Sequence, residues 1–182
     1  MNYHETKIPG VFIIEPELIS DARGFFAMSW LPEEFETRGL NPLIAQCNIS
    51  FNKRCGTVRG MHFQRKPHEE AKIVRCTRGA MYDVAIDLRR DSPTRYEWVA
   101  AELTADNYRM LYIPEGFAHG YQTLADDTEI FYQISESYHP ESAGGVRWDD
   151  PAFGLKWPLP ITVIAERDAT YPLLDLTTAF AD

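Results

Sequence analysis

The sequence lacks the features that would place the protein in a membrane or in an oxidising compartment. A membrane-spanning helix needs about 20 consecutive apolar residues, and no stretch of the sequence comes near that length. The start, MNYHETKIPG, has no apolar run typical of a signal peptide. Only three cysteines are present, Cys47, Cys55 and Cys76, and none lies in a CxxC motif. We therefore expect a cytoplasmic protein without membrane association, in which the thiols are reduced and Cys76 is buried.

Positive charge is also scarce. The 182 residues include 18 Lys and Arg against 27 Asp and Glu, a formal net charge of −9. Such a surface repels nucleic acid, and no basic cluster interrupts it, so nucleic acid is not expected as a partner. A Gly-rich dinucleotide loop is missing as well. An anionic ligand would need a local pocket of Arg and Lys.

Helical patterns are rare, and short β-type runs separated by turn residues fill most of the chain. One short helix is predicted over 31–39, with acidic residues in its first turn and Gly39 as its stop. Many short strands at close spacing are typical of a sandwich or barrel. We predict a single all-β domain over 1–182, a jelly roll of two antiparallel sheets, with the tail from Asp149 wrapped around the outside. The predicted strands are 11–15, 25–30, 44–51, 57–64, 71–77, 80–88, 96–103, 109–113, 119–124 and 129–135.

The alternation of side chains within two strands indicates which residues point inward. In 80–88, Asp83 lies on a partly polar face, opposite an apolar face formed by Tyr82, Val84, Ile86 and Leu88. The Arg78-Gly79 pair before this strand predicts a hairpin from strand 71–77. In 129–135, Tyr132 shares an inward face with Ile130 and Ile134, so its hydroxyl needs a partner.

The run Arg59-Gly60-Met61-His62-Phe63-Gln64 is the first candidate for chemistry. Regular alternation would place His62 and Arg59 on opposite faces of the strand. A glycine inside a strand often marks a bulge, and a bulge at Gly60 would bring both side chains to one side. By itself this run is equally compatible with an incidental half-buried histidine.

The run Tyr112-Ile113-Pro114-Glu115-Gly116-Phe117-Ala118-His119-Gly120 resembles the second sequence motif of the cupin superfamily, whose members are jelly-roll barrels. Metal-binding cupins also need a His-x-His pair and a further acidic ligand. Here that place reads His62-Phe63-Gln64 and is followed by Lys72, which leaves His62 and His119 as the obvious nitrogen ligands. A metal-dependent cupin, an oxygenase or isomerase, therefore remains an alternative, although a lysine ammonium opposes a dication.

Without a metal, the same residues make a proton-transfer site. His62 is a histidine, the residue type used most often as a general base, and can take up a proton. Lys72 and Arg59 can hold anionic oxygens, and Tyr132 can donate a proton from another wall. Asp168 could return from the tail to orient a histidine, as in other His–Asp pairs. A solvent-facing side chain is the ordinary state of an isolated acid in a tail.

Over residues 7 to 174 the chain resembles the dTDP-4-dehydrorhamnose 3,5-epimerase family. The resemblance rests on many ordered segments, namely GVFIIEP, DARGFF, Gln46-x-Asn48-x-Ser50, VRGMHFQ, Lys72-x-Val74-Arg75, RGAMYDVAIDLRRDSPT, YIPEGFAHG, VRWDDPAFGLKWP and the Arg167-Asp168 pair. It implies a cupin-type jelly roll, a homodimer, no metal and no organic cofactor. It also implies a substrate that is a nucleoside-diphospho-4-keto-6-deoxy sugar, epimerised at C3, C5 or both.

The resemblance also implies roles for individual residues. His62 is the implied proton acceptor, paired with Asp168, Tyr132 the proton donor, and Lys72 the lysine that stabilises the enolate. Substrate contacts fall on Gln46, Asn48, Arg59, His119 and Arg167, and on Arg23 and Phe26, which would reach the nucleotide of the partner subunit. The chain departs from the family pattern at Met28, Cys47, Ala143 and Arg167, which leaves the nucleotide and the number of inverted carbons open. A non-catalytic protein that binds sugar nucleotides is the remaining alternative.

Overall fold

The computed structural model describes residues 1–174 as two antiparallel sheets packed face to face. The first sheet has six strands, in spatial order β1 (Asn2–Glu5), β2 (Phe12–Glu15), β10 (Met110–Ile113), β7 (Lys72–Arg78), β12 (Thr128–Ile134) and β5 (Gln46–Asn52). The second is built from β13 (Ala143–Gly145), β6 (Thr57–Gln64), β11 (Phe117–Thr123), β8 (Ala80–Asp87) and β9 (Trp98–Thr104). This is the predicted jelly roll.

The remaining elements are short and peripheral. Strand β14 (Val163–Ile164) pairs in parallel with β6, and β3 (Ile19–Asp21) and β4 (Gly24–Phe26) form a small exposed hairpin. The helices are α1 (Pro32–Glu36), inside the predicted range 31–39, and α2 (Glu166–Ala169). Within residues 1–174, none of the helices has the length and the apolar sequence of a membrane span. The single domain predicted over 1–182 stays a prediction, because residues 175–182 lie outside the described part.

The core lies between the two sheets and draws on both. Alternate residues of the first sheet meet alternate residues of the second, and burying each large apolar side chain contributes about 1.5–3 kcal/mol. Cys76 is 2% exposed, as predicted. The buried members include Val74, Leu111 and Ile130 from the first sheet and Met81, Ala85 and Leu103 from the second.

Tail and helix cover the outer faces of the sheets. The apolar face of β8, with Val84 and Ile86, packs under Phe153 and Trp157 of the tail, so the prediction that the tail wraps the outside is confirmed. On the first sheet, α1 buries Phe35 completely among residues of β2, β7 and β10. The tail therefore covers part of the outer face of the second sheet, and α1 covers part of the outer face of the first.

The hairpin predicted at Arg78-Gly79 is wrong. Strand β7 belongs to the first sheet and β8 to the second, so the chain crosses between sheets at Gly79 instead of pairing the two strands. Gly79 has a φ of +77°, and a Cβ there would lie 2.5 Å from the hydroxyl of Thr128. A positive φ suits glycine in a connection between sheets as well as in a hairpin turn, so the glycine by itself does not distinguish the two. The predicted strand 25–30 is also shorter than expected, since β4 ends at Phe26.

Candidate active site

A bulge in β6 brings Arg59 and His62 to the same side of the sheet. His119 on β11 pairs with His62 on β6, and Tyr121 on β11 pairs with Arg59 on β6. Between these two pairs β11 advances by two residues and β6 by three, so β6 carries one extra residue. Gly60 lies in this bulge with a φ of +123°, and a Cβ there would come within 2.5 Å of Gly120. The predicted bulge is confirmed. Arg59 and His62 both line one cavity of about 250 Å³.

Asp168 reaches His62 and is buried. Its Oδ1 lies 2.8 Å from His62 Nε2, its Oδ2 accepts from the Gly60 N–H at 3.1 Å, and the residue is 2% exposed. Burial by itself would raise the pKa of Asp168, but the hydrogen bonds from His62 and Gly60 hold that pKa below its ordinary value. Asp168, in α2, is therefore buried, whereas an isolated acid in a tail ordinarily faces solvent.

The charge of Asp168 fixes which nitrogen of His62 carries a hydrogen. An ionised carboxylate only accepts, so Nε2 is protonated and the lone pair is on Nδ1. Among residues 1–174, Nδ1 has no hydrogen-bond partner. The guanidinium of Arg167 lies 3.2 Å from Nε2 of His62 and 3.4 Å from Oδ1 of Asp168. Arg167 and Asp168 thus both contact His62 at Nε2 and leave Nδ1 free of contact with either. His62 is therefore oriented as a base with one free acceptor nitrogen.

Tyr132 faces the same cavity from the opposite sheet. It lies in the middle of β12, and its cross-strand neighbours are Asn48 on β5 and Val74 on β7. Burial raises the pKa of its phenol, partly offset by Arg59 and reinforced by Glu70. The hydroxyl thus stays protonated at neutral pH and can donate. His62 and Tyr132 stand on opposing walls of one cavity because they belong to different sheets.

Lys72 lies at the start of β7 and is 7% exposed. Its ammonium forms an ion pair with Glu70 at 2.9 Å and lies 3.5 Å from the carbonyl oxygen of His62. The side chain lines the cavity with His62 and Tyr132. Sequence reasoning missed Glu70. A carboxylate two residues before a strand lysine was the available signal, because such residues share a face.

His119 has a buried carboxylate partner of its own. Its Nε2 lies 2.7 Å from Oδ1 of Asp83, which is completely buried on β8. Sequence reasoning placed Asp83 on a partly polar face but did not pair it with His119, since cross-strand register is not visible in one strand. Two histidines on neighbouring strands, His62 and His119, therefore border the same cavity, and each has a buried carboxylate partner behind it.

The cavity continues into a second lobe of about 220 Å³ that holds most of the remaining predicted contacts. Gln46 and Asn48 of β5 line it, joined by a hydrogen bond of 2.7 Å between their side chains. Arg167 borders both lobes. Two tyrosines that sequence reasoning missed, Tyr138 and Tyr171, also line this lobe. Nothing in their local sequence marks them as cavity residues.

In the first lobe, Arg59 is held by a polar network. Its Nε donates to Asn52 at 2.8 Å, and one Nη donates to the carbonyl oxygen of Phe51 at 3.4 Å. Tyr121, in hydrogen-bond contact with Ser50 at 2.8 Å, borders the same lobe. With Lys72 nearby, this lobe supplies the local cationic pocket that an anionic ligand would need on an acidic protein.

Arg23 and Phe26 are not brought to either lobe. They lie on the β3–β4 hairpin, where the Arg23 side chain is 89% exposed and paired with Asp21, and Phe26 is 67% exposed. Of the four positions that depart from the family pattern, Ala143 and Arg167 line the cavity. Met28 and Cys47 are exposed and line neither lobe.

Comparisons with known proteins agree on one family. The model of the family dTDP-4-dehydrorhamnose 3,5-epimerase matches residues 5–175. A dTDP-4-dehydrorhamnose 3,5-epimerase from Sinorhizobium fredii is 42% identical over 182 residues, 99% of this chain and 93% of that protein.

Two solved structures show the same fold with bound nucleotide sugars. One is dTDP-6-deoxy-D-glucose-3,5-epimerase RmlC from Legionella pneumophila in complex with dTDP-4-keto-L-rhamnose, with a TM-score of 0.90, 35% identity and coverage of 98% of this chain and 95% of that chain. The other is ChmJ, a 3'-monoepimerase from Streptomyces bikiniensis in complex with dTDP-quinovose, with a TM-score of 0.86, 31% identity and coverage of 93% and 86%. With a jelly roll, a cavity between its sheets and a match along almost its full length, the chain belongs to the dTDP-4-dehydrorhamnose 3,5-epimerase family.

Proposed function

We propose that the protein epimerises a dTDP-linked 4-keto-6-deoxy sugar at C3, C5 or both, by proton transfer through an enolate. The observation that carries this proposal is the placement of His62 and Tyr132 on opposing sheets around one cavity. Lys72 lines the same cavity from the sheet that carries Tyr132. Inversion of a carbon requires removal of a proton from one face and delivery of a proton to the other. Two walls bearing a base and an acid meet that requirement.

In the first step, Nδ1 of His62 takes the proton from a carbon next to the ketone. The electron pair of the broken C–H bond forms the C=C bond of the enolate, and the carbonyl pair moves to the oxygen at C4. Asp168 holds the resulting imidazolium through a charge-assisted hydrogen bond at Nε2. A positioned base of this kind typically contributes about 10²–10⁴-fold to the rate.

Negative charge on the C4 oxygen is the main obstacle, and Lys72 is the group that stabilises it. A fixed cation in a site shielded from water stabilises developing charge without reorganisation, which is usually the largest catalytic contribution. Glu70, whose side chain is 10% exposed, holds the ammonium at 2.9 Å and so fixes its position.

In the second step, the phenol of Tyr132 delivers its proton to the opposite face of the same carbon, and the C4 carbonyl reforms. The phenolate regains a proton from solvent, and His62 releases its own, so the cycle is balanced. All proton transfers in this scheme use His62, Tyr132 and solvent. The family matches favour epimerisation over the metal-dependent alternative.

The nucleotide and diphosphate are assigned to the cationic and amide-lined parts of the cavity. We place the diphosphate against Arg59 and Arg167, the sugar near His119, and the nucleotide against Gln46 and Asn48. The complexes of relatives with dTDP sugars support a dTDP-linked substrate. Because relatives include both 3,5-epimerases and a 3'-monoepimerase, the number of inverted carbons stays a prediction.

We further propose a homodimer in which Arg23 and Phe26 of one subunit complete the nucleotide site of its partner. Support comes from exposed apolar side chains on the edge strand β5 and on the β3–β4 hairpin: Ile49 is 70% exposed, and Ile19 and Phe26 are each 67% exposed. Large apolar side chains left in water are a feature of interaction surfaces. The cytoplasmic location stays a prediction.

Incubation of the purified protein with a dTDP-4-keto-6-deoxy sugar in D₂O tests the function. We expect deuterium at C3, C5 or both by NMR, and we expect the His62→Ala variant to place none. The Glu17→Gln variant, which changes a carboxylate outside both lobes, should exchange like the unchanged protein. Absence of exchange with dTDP-, UDP-, CDP- and GDP-linked ketosugars alike would remove the proposal and leave a binding protein.

A further inference from the structure

A second group of metal-ligating side chains lies outside the cavity. His68, Glu136 and His139 each offer one ligand atom, and these atoms all lie within 4.8 Å of one another. His68 belongs to the loop between β6 and β7, whereas Glu136 and His139 belong to the loop between β12 and β13. None of the three lines either lobe of the cavity, and the proposed mechanism uses none of them.

The buried side chain of Gln64 holds the two loops together. Its Nε2 donates to the carbonyl oxygens of His68 and Ser137, both at 3.0 Å, and its Oε1 accepts from the backbone N–H of His139 at 2.6 Å. Gln64 is 5% exposed, so these bonds are shielded from water. As a result the imidazoles of His68 and His139 are stacked, with centroids 3.5 Å apart and planes 8° apart. The fold itself therefore brings the two imidazoles together. Because stacked rings direct their in-plane lone pairs in parallel, one ring must rotate out of the stack for both to bind one ion.

The tautomer of His139 suits metal binding. Its Nδ1 lies 3.2 Å from Oε1 of Glu141, and because a carboxylate accepts, Nδ1 carries the hydrogen and Nε2 the lone pair. A carboxylate on the distal nitrogen is the usual support of a metal-binding histidine. Nε2 lies 3.7 Å from Oε1 of Glu136. That distance is too long for a hydrogen bond, but it is near the roughly 3.3–3.6 Å between two N or O ligands on a tetrahedral zinc ion.

We propose that His68, Glu136 and His139 form a zinc site that joins the two loops. Two imidazoles and one carboxylate match the borderline preference of Zn²⁺, whereas Mg²⁺ and Ca²⁺ prefer oxygen ligands throughout. Water would complete the tetrahedron. The same two loops carry Glu70 and Tyr138, which line the cavity, so bound zinc would restrain that wall. The site does not depend on the proposed function.

Zinc titration of the metal-free full-length protein, followed by calorimetry and by competition with a chelating dye, tests the site. We expect one Zn²⁺ per chain and a rise in Tm with zinc, since an ion that binds only the folded state stabilises it. Loss of a supporting residue typically costs about 10–100-fold in metal affinity. Loss of a direct ligand in His68→Ala, Glu136→Gln or His139→Ala should therefore weaken binding at least about tenfold.

Controls separate this site from other zinc ligands. His4→Ala removes another surface histidine with a carboxylate neighbour, Glu15 at 3.3 Å, and should leave zinc affinity unchanged. Glu136→Gln keeps the size of the side chain, so it remains informative if a histidine variant fails to fold. Unaltered affinity in all three ligand variants would overturn the proposal. So would loss of binding in His62→Ala alone, which would place the ion in the cavity, or failure of the unchanged protein to bind stoichiometric zinc.

Discussion

Replacing Asp168 by Asn removes the charge behind His62 while keeping the shape of the side chain. In the folded protein the two carboxylate oxygens accept from two donors, His62 Nε2–H and the N–H of Gly60. An amide has one oxygen for these two donors, so it must choose. If the oxygen serves His62, the buried Gly60 N–H faces an NH₂ group, which costs about 1–3 kcal/mol.

The amide therefore turns its oxygen to Gly60 and its NH₂ to Nε2. His62 then carries its hydrogen on Nδ1 and has no lone pair for the substrate. The imidazolium also loses a charge-assisted hydrogen bond worth about 1.5–3 kcal/mol, which is about 10- to 150-fold in rate. Together with the wrong tautomer, the loss in kcat should lie between about 10² and 10⁴, the upper value being that of the same change in serine-protease triads. KM should change little, because Asp168 does not line the cavity.

The assay is the initial rate of solvent deuterium exchange at C3 and C5, measured by NMR over a range of substrate concentrations. Asp127→Asn serves as the control, since it makes the same chemical change on an exposed side chain paired only loosely with Arg78 at 3.8 Å. An Asp168→Asn variant that is folded and exchanges at the rate of the control would refute the assignment of Asp168 as the group that orients His62.

Tyr132→Phe should still exchange substrate protons while inversion slows, seen as deuterium incorporation that outpaces product formation; full epimerase activity would contradict the assigned donor. Lys72→Met should lower kcat more than it raises KM. By leaving the largely buried Glu70 carboxylate unpaired, it should also reduce the free energy of unfolding, by at most about 3–5 kcal/mol; adding Glu70→Gln should restore stability in urea but not turnover, and restored turnover would contradict the role of the lysine. Gly60→Ala should cost at least about 1–3 kcal/mol in urea unfolding, because of its positive φ and because the added Cβ would come within 2.5 Å of Gly120; an unchanged midpoint would argue against the bulge. Burial raises the pKa of Asp87, but hydrogen bonds from an arginine and two hydroxyls outweigh burial and hold that pKa below its ordinary value. The stability that Asp87 contributes is therefore complete above pH about 3.9, the pKa of the group in an unfolded chain. It is lost as the pH falls through the lower pKa of the folded state. Asp87→Asn should flatten this acid dependence in thermal unfolding at low pH, and equal slopes would contradict it.

The fold could be predicted from the sequence because its signals are local. Alternation and turn residues define the strands, and a glycine inside strand 57–64 indicated the bulge that turns Arg59 toward the cavity. The error at Gly79 has the same origin. A turn at glycine has the same sequence pattern whether the two flanking strands pair as a hairpin or belong to different sheets. Which of the two forms depends on how the whole sheets pack.

The site could be predicted only in part, because side-chain partners come from distant segments. His62, Lys72 and Tyr132 were named from the sequence and meet at one cavity. Their carboxylate neighbours were less accessible: Glu70 was missed, and whether Asp168 reached His62 depended on the path of a tail 106 residues away. Register and tail path are global properties that no local pattern encodes.

A crystal structure of the protein with a bound dTDP-4-keto-6-deoxy sugar, or a stable dTDP-sugar analogue, would show directly whether a base and an acid face the two sides of the sugar. We expect Nδ1 of His62 and the hydroxyl of Tyr132 to approach opposite faces of the pyranose ring, each about 3–3.5 Å from C3 or C5, with the Lys72 ammonium next to the oxygen at C4. A sugar ring with both groups on one face, or held in a place that His62 does not reach, would contradict it.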